Sequence, residues 1–176
     1  MVDVHLGRRG IHDREVLAAM REVPREVFVG PGYEEFAYED GPLPIAEGQT
    51  ISQPYIVAFM LEMSEIGPGD QVLEVGTGSG YAAAVMSRVV DHVYTIERHA
   101  PLAEDARRRF QRLGYGNIEV RIGDGTKGCP KQHPSTPSWW RRADRAHRWP
   151  CSSSSTSAAG WSFRWATIPT SSGCLR

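Results

Sequence analysis

Between residues 71 and 122 short apolar runs alternate with helical ones, and this alternation limits the fold more than any other feature of the chain. Gln71-Val-Leu-Glu-Val75, His92-Val-Tyr-Thr-Ile96 and Asn117-Ile-Glu-Val-Arg-Ile122 read as strands. Between them lie Gly80–Val90, an alanine-rich helix, and Pro101–Leu113, an amphipathic helix with basic residues outward that Gly114 closes. Strands joined through helices pair in parallel, by right-handed crossovers. The expected class is therefore α/β.

Upstream, Asp13–Glu22 reads as a helix with Asp13 as N-cap and Val16, Leu17 and Met20 on one face; Pro24 ends it. A loop region rich in Gly, Pro and acids follows. Ile51–Ile66 reads as a second helix, with Ser52 as its N-cap, Pro54 in its first turn, and Ile56, Phe59, Met60 and Met63 at helical spacing. Gly67-Pro-Gly-Asp70 is a turn.

Near residue 126 the chain changes character. Residues 1–126 carry 12 Lys+Arg against 20 Asp+Glu, a balance of −8, whereas residues 127–176 carry 8 against the single Asp144, a balance of +7. All five tryptophans, all three cysteines and ten serines lie in the later stretch, with only Ile168 and Leu175 as branched aliphatics. So little β-forming content cannot supply buried strands. The expected organisation is a helical and substrate-loop region over 1–69, a cofactor-binding βαβαβ half over 70–126, and an anomalous, disordered tail over 127–176. No apolar run approaches the roughly 18 residues of a membrane span. There is no basic-then-apolar leader, and three cysteines make no disulfide framework. These features lead to the expectation of a soluble cytoplasmic monomer without membrane or nucleic-acid partners.

The first strand runs into Glu74-Val-Gly76-Thr77-Gly78-Ser-Gly80-Tyr81. Glycines at such a strand–helix turn let the backbone bend sharply and approach a ligand. The spacing is G-x-G-x-G, not the G-x-G-x-x-G of a dinucleotide site, whose third glycine would fall at Tyr81, and no Lys follows to make a phosphate loop. The ligand is therefore one without a pyrophosphate. Glu97 ends the second strand, where a carboxylate accepts hydrogen bonds from ribose hydroxyls. Gly123-Asp124-Gly125 ends the third, at the strand edge where open α/β sheets bind ligands. Taken singly, Glu97 could be a solvated strand end and Asp124 a turn cap. Together the three strand ends resemble a class I S-adenosylmethionine-dependent methyltransferase, a Rossmann-like sandwich, with Glu74, Gly76, Thr77, Gly78, Gly80, Glu97, Asp124 and Gly125 as the expected cofactor-binding residues.

About twenty residues before that strand stands Gly48-Gln49-Thr50-Ile51-Ser52-Gln53-Pro54-Tyr55, preceded by Asp40-Gly-Pro-Leu-Pro-Ile45. With Val16–Arg25 and Phe36–Asp40, these segments resemble the protein-L-isoaspartate O-methyltransferase family over residues 10–126. The resemblance implies methyl transfer from S-adenosyl-L-methionine to the free α-carboxylate of L-isoaspartyl residues, a protein-repair reaction. Thr50, Ile51 and Gln53 would form the substrate loop, with Ser52 orienting the carboxylate as the catalytic residue; the competing reading of Ser52 is a helix cap only. No metal is expected. Two other readings stay open: a methyltransferase for another substrate, and an inactive product of a truncated or frame-shifted gene.

After Gly125 the family resemblance stops, so the second half of the sandwich is expected to be missing or disordered. Residues 127–176 look like the same gene in another frame. With codons shifted by one base, Pro134–Ala143 can be read as Phe-Asp-Ala-Ile-Val-Val-Ala-Ala-Gly, and Ala158–Ala166 as Gly-Gly-Arg-Leu-Val-Ile-Pro-Val-Gly, two strands of the family in order. A zinc site from Cys129, His133, His147 and Cys151, or nucleic-acid binding through Trp139-Trp-Arg-Arg142, is the weaker reading of a segment so poor in aliphatics. On this reading the tail forms no β-structure, and Gln71–Val75 is left as an unpaired edge.

Overall fold

The structure, a computed structural model, describes residues 1–125 and, as backbone, 164–168. After an N-terminal turn at Val2–Leu6, helix α1 spans Arg14–Glu22. Asp13 caps it as expected, accepting the Val16 N–H at 3.0 Å, and Val16, Ala19 and Met20 are its buried face. Strands β1 (Leu43–Pro44) and β2 (Thr50–Ile51) form an antiparallel pair, Leu43 opposite Ile51. Helix α2 follows at Pro54–Met63.

Two expectations about α2 are corrected. It starts three residues later than Ile51, because Thr50 and Ile51 are taken into the ladder with β1, and its N-cap is Gln53 rather than Ser52. Gln53 makes no side-chain cap bond of its own. Asp40 supplies the missing acceptor from 15 residues upstream, its Oδ1 receiving the Tyr55 N–H at 3.2 Å and its Oδ2 the Gln53 Nε2 at 2.9 Å. The inward face is also different. Val57, Ala58 and Leu61 are buried with Pro54, while Phe59 and Met63 are 43% and 66% exposed. The helix is apolar almost all round, so its sequence has no polar side to set the rotation. Its one charged residue, Glu62, turns toward α1, where Oε1 accepts the N–H groups of His12 (2.6 Å) and Asp13 (2.8 Å).

The expected alternation then appears: β3 at Gln71–Val75, α3 at Tyr81–Met86, β4 at His92–Glu97, α4 at Ala100–Leu113 and β5 at Ile118–Ile122. Gly114 closes α4 in the left-handed conformation at φ 75°. β3 pairs in parallel with β4, and β4 with β5, so all three C-terminal ends point the same way. Every residue of α3 is buried, in a core shared with Val16, Met20 and Phe28 on one side and Ala106 and Phe110 on the other.

The far edge of β3 departs from expectation. Backbone Arg164–Ile168 forms β6, antiparallel to β3, with Ile168 opposite Gln71 and Arg164 opposite Val75; the sheet order is β5-β4-β3-β6. The expectations of an unpaired β3 edge and of a tail without β-structure are overturned for this stretch. β3 is buried through its middle, so its outer N–H and C=O groups need partners, and Trp165-Ala-Thr-Ile168 is a run of mostly β-forming residues that can supply them. The remainder of 127–176, with the zinc candidates, Trp139–Arg142 and most of the shifted-frame segments, lies outside the described residues. Among the described residues no helix is long and apolar enough to cross a membrane.

Candidate active site

A cleft opens where the end of β3 meets the Thr50–Ser52 loop. Thr50, Ile51, Ser52 and Val57 form one wall; Val75 to Ser79, with Tyr81, Ala82 and Glu97, form the other. The Thr50–Ser52 loop and the turn after β3, more than twenty residues apart in sequence, thus share one space.

Gly76 stands at φ 99° with its N–H donating to the Ile96 carbonyl at 2.8 Å, which locks the turn onto β4. A Cβ built on it would meet no protein atom within 4 Å, so this wall is bare backbone beside open space. Gly80 answers another demand. At φ 88° it begins α3, and a Cβ there would lie 2.6 Å from Phe110 Cζ, so it serves the packing of α3 on α4.

Two carboxyl groups behave differently behind this loop. Glu97 Oε2 accepts the Gly78 N–H and Oε1 the His99 N–H, each at 2.9 Å, so it ties the glycine turn to the end of β4. Glu74 is only 1% exposed and lies off the cleft. Burial, reinforced by the nearby Glu97 charge and opposed by the Thr95 hydroxyl, pushes its pKa up to about 8, so it is largely protonated at neutral pH. Thr95 donates to its Oε2 at 2.5 Å, and Thr77 in turn reaches Thr95 at 2.6 Å. The chain Thr77–Thr95–Glu74 braces the turn from below, leaving Glu74 Oε1 without a partner.

The other wall is held by Arg25 and Asp40. Arg25 is fully buried, and its Nε donates to Ala37 O at 2.8 Å and its Nη2 to Ser52 O at 2.7 Å. Burial pulls its pKa down, the mark of a desolvated cation. Its guanidinium lies 4.6 Å from the centre of the Tyr81 ring, whose hydroxyl burial pushes up to about 12. Arg9 pairs with the Asp40 carboxylate from outside. Among the described residues nothing engages the Ser52 hydroxyl, and Ser52 lines the cleft.

Of the residues expected in the site, Thr50, Ile51, Ser52, Gly76, Thr77, Gly78 and Glu97 line the cleft. Gln53 does not; its amide is spent on Asp40. Asp124 and Gly125 follow β5 and do not line the cleft; the Gly123 N–H meets Glu97 O at 2.8 Å and a Cβ on Gly125 would sit 2.7 Å from Val75 Cγ1. Val57, Val75, Ser79, Tyr81 and Ala82 were not anticipated as lining, and Arg25, the last residue of the Val16–Arg25 segment that carries the resemblance, was given no role in the site. A lone arginine between Pro24 and Glu26 looks like surface charge; only the fold shows it buried.

A family model described as protein-L-isoaspartate(D-aspartate) O-methyltransferase matches residues 2–136. The chain belongs to the protein-L-isoaspartate O-methyltransferase family. It is 61% identical over 134 residues to protein-L-isoaspartate O-methyltransferase 1 of Geotalea uraniireducens, a match covering 76% of this chain and 61% of that one. Against protein-L-isoaspartate O-methyltransferase 2 of Pelobacter propionicus the figures are 60% identity, 76% and 60%. A solved protein-L-isoaspartate O-methyltransferase superposes with a TM-score of 0.66 at 36% identity, over 76% of this chain and 45% of that one. A Plasmodium falciparum structure named a putative protein-L-isoaspartate O-methyltransferase, in complex with S-adenosyl-L-homocysteine, gives 0.57 at 28%, over 68% and 60%. The fold is thus the Rossmann-like sandwich of the class I methyltransferases. The chain spans about three-fifths of the length of the curated relatives it matches, and the family match ends at residue 136.

Proposed function

We propose that this chain transfers a methyl group from S-adenosyl-L-methionine to the free α-carboxylate of L-isoaspartyl residues in damaged proteins. One observation carries the reading: the Thr50–Ser52 loop and the Gly76–Gly78 turn, separate in sequence, line one cleft together with Glu97. The residues fit the cofactor. Gly76 leaves open space beside bare backbone, and each Glu97 oxygen accepts one N–H and so retains capacity for a ribose hydroxyl. When bound, S-adenosyl-L-methionine supplies a methyl carbon made electrophilic by its sulfonium.

The chain's own residues then have a limited task. A carboxylate is ionised at neutral pH and needs no base to attack. What remains is alignment of nucleophile and methyl carbon, the part of the barrier that fixed geometry lowers. The unengaged Ser52 hydroxyl is placed to donate to the carboxylate, and Arg25 holds its backbone carbonyl from behind. Few cysteines and a repair chemistry suited to ageing cytoplasmic proteins favour the cytoplasm as the place of action.

The test is methylation of an isoaspartyl peptide and its aspartyl twin by the full chain. Isoaspartyl-selective methylation is expected, with Ser52→Ala lowering turnover and leaving affinity for S-adenosyl-L-homocysteine unchanged. Equal labelling of the twins would replace this reading with a methyltransferase for another substrate. A second reading is a product that binds cofactor without turnover, favoured by residues 137–176 lying outside the family match. Cofactor binding without labelling of either peptide would establish it.

A further inference from the structure

The buried guanidinium of Arg25 has no role in the site as described so far beyond its contact with Ser52, and its surroundings are unusual for a core cation. Among the described residues it forms no ion pair with a carboxylate. Its Nε and Nη2 each donate to a backbone carbonyl, Ala37 O and Ser52 O, and among the described residues Nη1 is buried without a hydrogen-bond partner beside the Tyr81 ring. A charge held this way is a poor device for stability alone, since an apolar side chain of similar size would pack there without desolvating a cation. It is a good device for position. The guanidinium is a rigid planar fork, so two bonds from its two arms fix the direction between the groups that accept them.

One of those groups is anchored and the other is functional. Ala37 is fully buried. Ser52 lies in the cleft wall, on the two-residue connection, Ser52 and Gln53, between β2 and α2. On the far side of Ser52, Asp40 grips the Gln53 side chain and the Tyr55 N–H. Ser52 therefore hangs between two fixed points, one of them Arg25. The guanidinium also lies over Tyr81, which lines the opposite wall.

We infer that Arg25 is a positioning residue for the acceptor side of the reaction: gripping the Ser52 carbonyl from the core, it sets the direction of the Ser52 hydroxyl toward the substrate carboxylate. The inference rests on the proposed isoaspartyl methylation for its chemistry but not for its geometry. Among the described residues Arg25 meets the cofactor wall only at the Tyr81 ring and makes no hydrogen bond to Gly76, Gly78 or Glu97, so the cofactor side should respond to it far less than the loop.

The experiment uses the full chain with Arg25→Lys, which keeps the charge but replaces the fork by a single point donor, and Arg25→Met, which keeps the packing. Three measurements are made at a temperature where each variant is folded: amide hydrogen exchange, titration with S-adenosyl-L-homocysteine, and isoaspartyl-peptide kinetics. For Arg25→Lys, exchange over residues 50–55 should accelerate by about tenfold or more while β3 and β4 stay within about twofold. The dissociation constant for S-adenosyl-L-homocysteine should likewise hold within about twofold, and kcat on the peptide should fall by about tenfold or more with a smaller change in KM. Arg25→Met should show the same pattern, more strongly. Exchange rising equally in the loop and in β3–β4, or not at all in the loop, would overturn the inference, as would cofactor-side affinity falling in step with turnover. If the unaltered chain proves inactive, the proposed reaction fails on its own, and the contrast in exchange still decides the role of Arg25.

Discussion

Replacing Glu97 with alanine tests the cofactor assignment at the residue where structure and expected chemistry meet most closely. The carboxylate is 5% exposed, and each oxygen already accepts one backbone N–H at 2.9 Å. A carboxylate offers about four acceptor sites, so one per oxygen remains for a ribose hydroxyl. A hydrogen bond to a charged group contributes about 1.5–3 kcal/mol net, and two on one carboxylate do not simply add. Water entering the vacated space recovers part of the loss, leaving about 1–3 kcal/mol, or roughly a 5- to 150-fold weaker dissociation constant. The same change strips the Gly78 and His99 amides of their acceptor, so the variant should also be less stable, by about 1–3 kcal/mol. The assay is calorimetric titration with S-adenosyl-L-homocysteine, run well below the melting temperature of the variant so that only folded protein is compared. Superimposable isotherms for the two proteins would refute the ribose assignment and reduce Glu97 to a brace for the glycine turn.

Gly80→Ala should destabilise the fold by about 1–3 kcal/mol, read as a lower urea midpoint, because its Cβ would sit 2.6 Å from Phe110 Cζ at a φ of 88°; an unchanged midpoint would show that α4 yields freely. Glu74 carries a signed pH dependence. Its pKa in the fold is raised to about 8 from an ordinary 4.5, so between those values the unfolded chain releases a proton that the folded chain keeps. The contribution is therefore fully present below pH 4.5 and is lost as pH rises toward 8, on the order of a few kcal/mol in all. Glu74→Gln should flatten melting temperature against pH across that interval, whereas an unaltered slope would place the titration elsewhere.

Local signals were read well where they obey local rules. The Asp13 cap, the Gly114 terminator and the β3–α3–β4–α4–β5 alternation follow from residues within a few positions of one another, and each appears within one or two residues of its expected place, except that α3 ends at Met86 rather than Val90. The start of α2 was misplaced because its capping acceptor comes from Asp40 and its first residues pair with β1. Its buried face was misjudged because an almost wholly apolar helix leaves the rotation to its neighbours. Half of the site was legible for the same reason that half of the fold was. Glycine spacing and strand-end acids are local marks of ligand chemistry. The inward turn of Tyr81 and the burial of Arg25 leave no local mark.

The partner of β3 shows the division most clearly. By itself the sequence determined that Gln71–Val75 is a buried strand needing hydrogen bonds on both edges, since its apolar run and the helices flanking it admit little else. It also determined the parallel pairing with β4, because a helical crossover leaves no other choice. Which segment takes the far edge was decided only in three dimensions, where Arg164–Ile168 pairs antiparallel with it across some ninety residues of chain. The physical reason is range. Capping, periodicity and turn geometry act over a few residues and are written beside the structures they cause, whereas a strand edge accepts any backbone that reaches it, because the groups it bonds are the same in every residue except proline.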